Sequence, residues 1–402
     1  MKVGVYLVDN ITPSAGGNFS YYERLISAVD DYRFNDALEV CFTGRIPKGD
    51  VKLQKDYVQL PSPIVFKLFQ YLRKAGLTKL LSRLFFTNAD LCNRIDVSRL
   101  KSAKIDLLLY PKQFFTEVFD FPFMTMNWDA GHKSTFAFPE FLESYQVREK
   151  WYRVGMQKAM AIIVESEGSK EEYASYFSVP TSKIEIVPLF PGGVVDLIVE
   201  SGTQRDHLAN FKLSALSYFF YPAQFWAHKN HYNLIIAFKK LRDSNPSRDI
   251  KLVFTGSDKG NKAYIRSVIS HLNLERDVLI FGFVSNEEIH TLYKNAIALV
   301  MPTFLGPTNM PVLEAQTLQT AVICSDLSGH RETCQDGAIY ADPREPQQWT
   351  DAMQGLLIDE SRLELIEKAK AVRATTKFDI GHAMARLEAI FLKFIPIRKT
   401  FQ

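Results

Sequence analysis

The feature that most constrains this chain is an alternation, met twice, of short apolar runs with segments of helical periodicity. In the first half, Lys2–Val8, Ile105–Tyr110, Phe123–Met126, Ala161–Glu165 and Ile184–Val187 read as strands. They are nearly continuous in apolar residues, which suits strands buried on both faces. The second half repeats the pattern at Ser217–Tyr221, Lys251–Thr255, Val278–Phe281, Ile297–Val300, Ala321–Cys324 and Ala338–Tyr340. Between these runs, helices are expected near 230–241, 262–272, 286–293, 312–318 and 347–357, and Phe19, Tyr22, Leu25 and Ile26 mark an earlier one. Strand and helix in strict turn predict doubly wound parallel sheets. A chain of 402 residues is long for one core, so the expectation is an α/β protein with two Rossmann-like domains. Residues 1–190 form the first and 215–379 the second, with 191–214 as a linker interrupted by Pro191, Gly192 and Gly193.

Composition narrows the partners. The net charge of +3 is too small for a nucleic-acid binder. Cys41, Cys92, Cys324 and Cys334 show neither a C-x-x-C pair nor Cys/His ligand spacing, so neither a metal site nor a disulfide framework is expected. The apolar run Val3–Val8 ends at Asp9 and is too short for a signal peptide or a membrane span. A cytoplasmic location follows as an expectation. Residues 57–89 hold no Asp or Glu, but do hold Lys67, Arg73, Lys74, Lys79 and Arg83 among many Leu and Phe. Such a basic, apolar helix pair can lie on an anionic membrane surface, or can simply turn its apolar side to a core.

The most informative stretch is 302–315, Pro-Thr-Phe-Leu-Gly-Pro-Thr-Asn-Met-Pro-Val-Leu-Glu-Ala. It follows the Ile297–Val300 strand, and Pro311 suits the first turn of a helix. Strand, loop and helix N-terminus together offer free backbone N–H groups to an anion. Glu314, expected in that first turn, can accept hydrogen bonds from neighbouring ribose hydroxyls. The physical reading is a nucleotide or phosphosugar site.

The same wording resembles the C-terminal signature of the family-4 retaining glycosyltransferases of the GT-B fold, in a variant whose loop reads Gly-Pro-Thr-Asn. That signature carries two glutamates separated by seven residues; Glu314 matches the second, and Gly306 stands at the first. The resemblance implies a nucleotide-sugar donor held by the second domain, an acceptor held by the first, and a last helix, about Ile380–Phe394, packing back across the first domain. It also places Pro307, Thr308 and Asn309 near the sugar or its phosphates, and Gly282 and Phe283 near the nucleobase.

Three other stretches bear on the chemistry. After the first strand, Gly16 and Gly17 precede a helix; a Gly pair lets backbone approach a diphosphate, although an ordinary strand-to-helix turn explains it equally well. The resemblance matches this pair to a donor-phosphate loop. After Ser217–Tyr221 comes Pro222-Ala-Gln-Phe-Trp-Ala-His-Lys-Asn230, whose lysine can meet a diphosphate as a point charge. Lys229 matches the family's lysine, whereas Gln224 occupies its arginine position and His228 could restore some charge. Past Phe123–Met126, Asp129 and His132 match an Asp and a His that face the acceptor. The implied reaction is retaining transfer without a metal or other cofactor, in which the departing diphosphate itself can take the acceptor proton. A saccharide or lipid-linked saccharide acceptor, in surface-polysaccharide synthesis at the inner face of the membrane, is the implied context. Two other readings stay open on the same fold, a nucleotide-sugar epimerase and a partner subunit that has lost catalysis.

Overall fold

The computed structural model describes residues 1–8, 16–60, 93–112, 120–142, 144–282, 284–306 and 308–400. Two parallel sheets organise them. The first has strand order β3-β2-β1-β4-β5-β6-β7, built from β1 (Lys2–Leu7), β2 (Glu39–Gly44), β3 (Tyr57–Gln59), β4 (Leu107–Tyr110), β5 (Phe123–Met126), β6 (Ala161–Val164) and β7 (Ile184–Ile186). The second runs β10-β9-β8-β11-β12-β13, from β8 (Tyr218–Pro222), β9 (Lys251–Thr255), β10 (Val278–Phe281), β11 (Ala298–Met301), β12 (Ala321–Ser325) and β13 (Ile339–Ala341).

The central strands of both sheets are buried on both faces, which is why they read as nearly unbroken apolar runs; β2 (EVCFTG) and the half-buried edge strand β3 (YVQ) lack such a run and add two strands to those expected from the sequence. Val3, Val5 and Leu7 of β1 pack into one core with Leu25 and Val29, while Tyr6 points to the opposite core with Leu108, Tyr110 and Phe123. The second sheet centres on Phe219, Phe220, Leu252, Phe254, Leu299 and Ile323. Strand order reverses between β1 and β4 in one sheet and between β8 and β11 in the other. Crevices at such reversals, beyond the carboxyl ends of the strands, are where open α/β sheets bind ligands.

The last helix, Ile380–Lys399, closes on the first domain. Met384, Leu387, Ile390, Phe391 and Phe394 join the core built on β1 and the Gly17–Asp31 helix. Met310 and Leu313 of the second domain reach into that same core.

Several local expectations are revised. The Gly16–Gly17 pair is not free loop throughout: Gly17 opens the Gly17–Asp31 helix and Gly16 caps it at φ 63°. The 191–214 stretch contains a helix, Ser201–Asn210, whose Leu208 is buried in the second domain's core and whose His207 Nδ1 lies 3.0 Å from Thr291 Oγ1. Its polar residues cover only an outer face, so composition alone made it look like a linker. The Asp359–Thr375 helix likewise carries no clear apolar signal in the sequence, its apolar residues being diluted by charges. The Ser328–Cys334 helix has Leu327 at its N-cap, and Asp326 just before it accepts from Arg331 through two bonds, at 2.5 and 2.7 Å. Cys41, Cys324 and Cys334 are free, buried thiols. Of the basic segment 57–89, residues 57–59 form the edge strand β3, and the remainder from 61, with its five cations, lies outside the described residues. Among the described residues no helix is long and apolar enough to cross a membrane.

Candidate active site

The loops after β8 and β11 are tied together by hydrogen bonds to backbone carbonyls. Asn230, in the left-handed region at φ 59°, donates from Nδ2 to the carbonyls of Pro302 and Pro343 at 2.9 and 2.7 Å. Phe304 N–H donates to the His228 carbonyl at 2.9 Å, and Tyr221 Oη–H to the Lys229 carbonyl at 2.9 Å. Lys229 is thereby fixed at the carboxyl edge of the second sheet. Its Nζ faces Asn309 Oδ1 at 3.4 Å and makes no ion pair among the described residues. Burial pulls its pKa down to about 8, against the favourable fields of Asp129 and Glu140 across the cleft.

The 302–309 loop explains the missing first glutamate. Gly306 sits at φ 131°, and a Cβ there would lie 2.1 Å from Asn309 Nδ2. The Asn309 side chain fills the space that a residue-306 side chain would need, which is why glycine is required. Asn309 Nδ2 donates toward the Gly306 and Leu305 carbonyls at 3.2 and 3.4 Å and toward His330 Nε2 at 2.9 Å. Thr308, fully buried, donates from Oγ1 to Glu165 Oε1 of the first domain at 2.7 Å. Pro307 lies outside the described residues.

Glu314 is the fifth residue of the Met310–Thr317 helix, a turn deeper than expected, because Asn309 and not Pro311 ends the loop. It is 6% exposed. Oε2 accepts from Tyr293 Oη at 2.7 Å and Oε1 from Gly192 N–H at 3.1 Å. Burial raises its pKa, with Tyr293 and Gly192 opposing. Arg24 of the first domain holds the same turn from the other side, donating to the Gly192 carbonyl at 2.7 Å and to that of Pro191. Glu314 therefore braces the junction between the domains.

The first domain supplies the facing wall. A Cβ at Gly16 would lie 3.0 Å from Gln224 Nε2, and one at Gly17 would touch Met310 Cε at 3.5 Å. The glycine pair and the second domain's phosphate-site candidates are thus brought together. Gln224 itself donates to Ser257 Oγ at 2.9 Å and accepts from Trp226 Nε1 at 3.0 Å. His228 is engaged by Glu140, whose Oε1 accepts from the His228 backbone N–H at 3.0 Å and lies 2.5 Å from Nδ1. Burial lowers the imidazole pKa despite Glu140, so His228 does not replace the family's arginine charge.

Asp129 lies at the cleft, paired with Arg148 and accepting from Gly131 N–H at 3.0 Å. His132 is turned away from it. Its ring is fully buried, 4.8 Å from Tyr152 and 5.8 Å from Phe177 between centroids, with Nε2 3.2 Å from Glu149. Burial, helped by the Arg148 guanidinium, pulls its pKa down to about 4. The aromatic cage around the short Gly131–Ser134 helix decides this orientation, which strand-end position could not reveal. Gly282, directly after the edge strand β10, is exposed, with open space where a Cβ would be, and Phe283 lies outside the described residues.

Three residues near the site were not anticipated. Glu165 directly follows β6, is fully desolvated, and burial lifts its pKa to about 8. Glu140 reaches across to His228, and His330 contacts Asn309. Glu165 stands at a strand's carboxyl end, a position that alone recommends it; the other two act only through three-dimensional proximity.

Two parallel α/β domains meeting along the carboxyl edges of both sheets are the arrangement of GT-B glycosyltransferases. Solved structures with this fold include a glycosyltransferase from Rickettsia africae, 12% identical over 98% of both chains with a TM-score of 0.68. HepE from Anabaena, in complex with UDP and glucose, is 13% identical with a TM-score of 0.68, covering 98% of this chain and 100% of that one. WaaG, a glycosyltransferase involved in lipopolysaccharide biosynthesis, is 13% identical with a TM-score of 0.66, covering 96% of this chain and 98% of that one. Residues 207–372, within the second domain and the helix before it, match the family model Glycosyl transferases group 1. Among curated relatives, the O-antigen chain mannosyltransferase RfbU of Salmonella typhimurium is 24% identical over 204 residues, 51% of this chain and 53% of its own length. A D-inositol 3-phosphate glycosyltransferase of Pseudarthrobacter chlorophenolicus is 24% identical over 224 residues, 54% and 52% of the respective lengths. The chain spans about half the length of the curated relatives it matches.

Proposed function

We propose that this protein transfers a sugar from a nucleoside-diphosphate donor to a saccharide or lipid-linked saccharide acceptor, with retention at the anomeric carbon. The observation that carries the reading is Lys229. A cation held where burial depresses its pKa, with a neutral amide as its partner, is an unneutralised positive site that a diphosphate would complete. Its partner Asn309 is the N-cap of the Met310–Thr317 helix, and the Gly16–Gly17 backbone approaches Gln224 and Met310 of the same domain; both backbones are suited to phosphate oxygens. Lys229 and those N–H groups would stabilise the negative charge that grows on the leaving diphosphate; one well-placed donor of this type is worth ~2.7–4 kcal/mol of barrier. The positive charge then comes from protein, so the reaction needs no metal ion or other cofactor. On the opposite wall, Asp129, held by Arg148, is placed to receive an acceptor hydroxyl, and the leaving phosphate takes the acceptor proton on the shared face.

The O-antigen mannosyltransferase relative and the likeness to WaaG favour a hexosyl donor and surface-polysaccharide synthesis as the context. A cytoplasmic site of action, peripheral at the membrane through residues 57–89, belongs to the same reading. The test is a thermal-shift panel of UDP, GDP, dTDP, ADP and CMP, followed by donor hydrolysis without acceptor. A ligand at a hundredfold its dissociation constant stabilises by ~2.7 kcal/mol. One diphosphate standing out, with slow hydrolysis of its sugar conjugate, supports the transferase. No shift from any nucleotide overturns the donor site, and a shift without hydrolysis favours the inactive partner subunit.

A further inference from the structure

We propose that His330 is a positioning residue for Lys229, acting through the side-chain amide of Asn309. The proposal rests on the reading of Lys229 as the cation that meets the donor diphosphate. The chemistry runs in one direction from a backbone carbonyl. His330 is fully buried, and its Nδ1 lies 2.7 Å from the Ser325 carbonyl oxygen. A carbonyl oxygen can only accept, so Nδ1 carries the proton. Burial keeps the ring neutral, which leaves Nε2 with a lone pair and makes it an acceptor. Its neighbour at 2.9 Å must then be the NH2 of Asn309. The Leu305 and Gly306 carbonyls, on the same side of the amide, demand the same orientation. With one N–H directed to His330 and the other shared between the two carbonyls, Oδ1 is the atom left to face Lys229 Nζ at 3.4 Å. A flipped amide would set oxygen against three acceptors and NH2 against an ammonium. His330 thus fixes both where Asn309 sits and which end of it Lys229 meets.

This also gives the glycine at 306 a chemical meaning. A carboxylate beside Lys229 would neutralise the lysine before a phosphate arrived, whereas an oriented amide steadies the ammonium and leaves its charge for the ligand. The charged and titratable groups around Lys229 are Asp129 and Glu140 from the first domain, and His228, His231 and His330 from the second.

The experiment follows the titration of Lys229 directly, by NMR of the full chain labelled at lysine Cε, with Lys229→Met assigning the signal. It needs no ligand, so it stands apart from the functional reading. His330→Leu should move the Lys229 midpoint to lower pH, and His330→Gln, which can still accept from Asn309 and donate to Ser325, should restore it. Asn309→Leu should give the same displacement, and His330→Leu added to Asn309→Leu should add nothing, because the two act in series. If His330→Leu does not fold, the Asn309→Leu and His330→Gln comparison carries the test. An unchanged midpoint in His330→Leu or in Asn309→Leu, or additive effects in the double variant, overturns the proposal. Inorganic pyrophosphate is then added. Binding that raises the wild-type midpoint, weakened about three- to tenfold in His330→Leu as for one net hydrogen bond, supports both readings. A midpoint that pyrophosphate leaves unmoved, with the variant pattern intact, sinks the anion-site reading and keeps the positioning role.

Discussion

Replacing Lys229 with methionine should make the unliganded protein more stable while removing its response to nucleotide. Methionine retains most of the stem's volume and drops the charge. The pKa of Lys229 falls from the ordinary 10.5 to about 8, with burial as the main cause. At about 1.4 kcal/mol per pH unit, keeping the ammonium in the folded state at neutral pH costs ~3 kcal/mol. The folded chain binds fewer protons than the unfolded chain between pH 8 and 10.5. That cost is therefore complete below pH 8 and fades as the pH rises towards 10.5. Allowing for partial solvent access and lost contacts, Lys229→Met should gain ~2 kcal/mol at pH 7. For domains of this size that is a rise in melting temperature of roughly 4–8 °C. In wild type, a bound diphosphate restores a partner to the ammonium; in the variant, the ~2.7 kcal/mol of nucleotide stabilisation expected at a hundredfold the dissociation constant should vanish. Differential scanning calorimetry with and without UDP, GDP and the other nucleotides measures both effects. A variant that melts lower than wild type and keeps its nucleotide shift refutes the reasoning.

Three further outcomes follow from the same geometry. Gly306→Ala places a Cβ 2.1 Å from Asn309 Nδ2 at φ 131° and should destabilise by ~3 kcal/mol or more; adding Asn309→Gly should recover the steric part but not the ~1–3 kcal/mol of backbone strain, as urea unfolding will show. Glu314→Ala leaves the Tyr293 hydroxyl and Gly192 N–H without their acceptor and should cost ~2–4 kcal/mol even without nucleotide; a loss below ~0.5 kcal/mol would mean water replaces the carboxylate. Glu165 holds its proton up to about pH 8, so its contribution to stability is present below pH 4.5 and is lost as pH rises to 8. Glu165→Gln should remove up to ~3 kcal/mol of the stability difference between pH 5.5 and 8, and equal slopes for the two proteins would contradict this.

How far the sequence carried differs between fold and site. The central strands announced themselves because both sheets are parallel and covered on both faces, so burial demands apolar runs such as Leu107–Tyr110 and Ala298–Met301; β2 and β3, with a mixed sequence and a three-residue edge position, did not. Ser201–Asn210 and Asp359–Thr375 did not, because a helix that covers a domain's outside needs only a few apolar residues among many polar ones. In the candidate site, loop position was legible: Gly16, Asp129, Lys229 and Asn309 all lie on connections that leave the carboxyl ends of strands, where parallel sheets leave room for ligands.

The amino-acid sequence by itself determined the central strands of the two parallel sheets and the loops that hold the candidate site residues. It did so because burial and backbone hydrogen bonding act through local periodicity. Tertiary structure alone decided what each side chain meets. Glu314 turned to the domain junction because Gly192 and Tyr293 converge on it from residues far apart in the chain. His132 turned inward because Tyr152 and Phe177 close around it. Asn309 occupies the space above Gly306, and His330 settles which way its amide points. Contacts of this kind depend on distances between distant segments, which no spacing along the chain encodes.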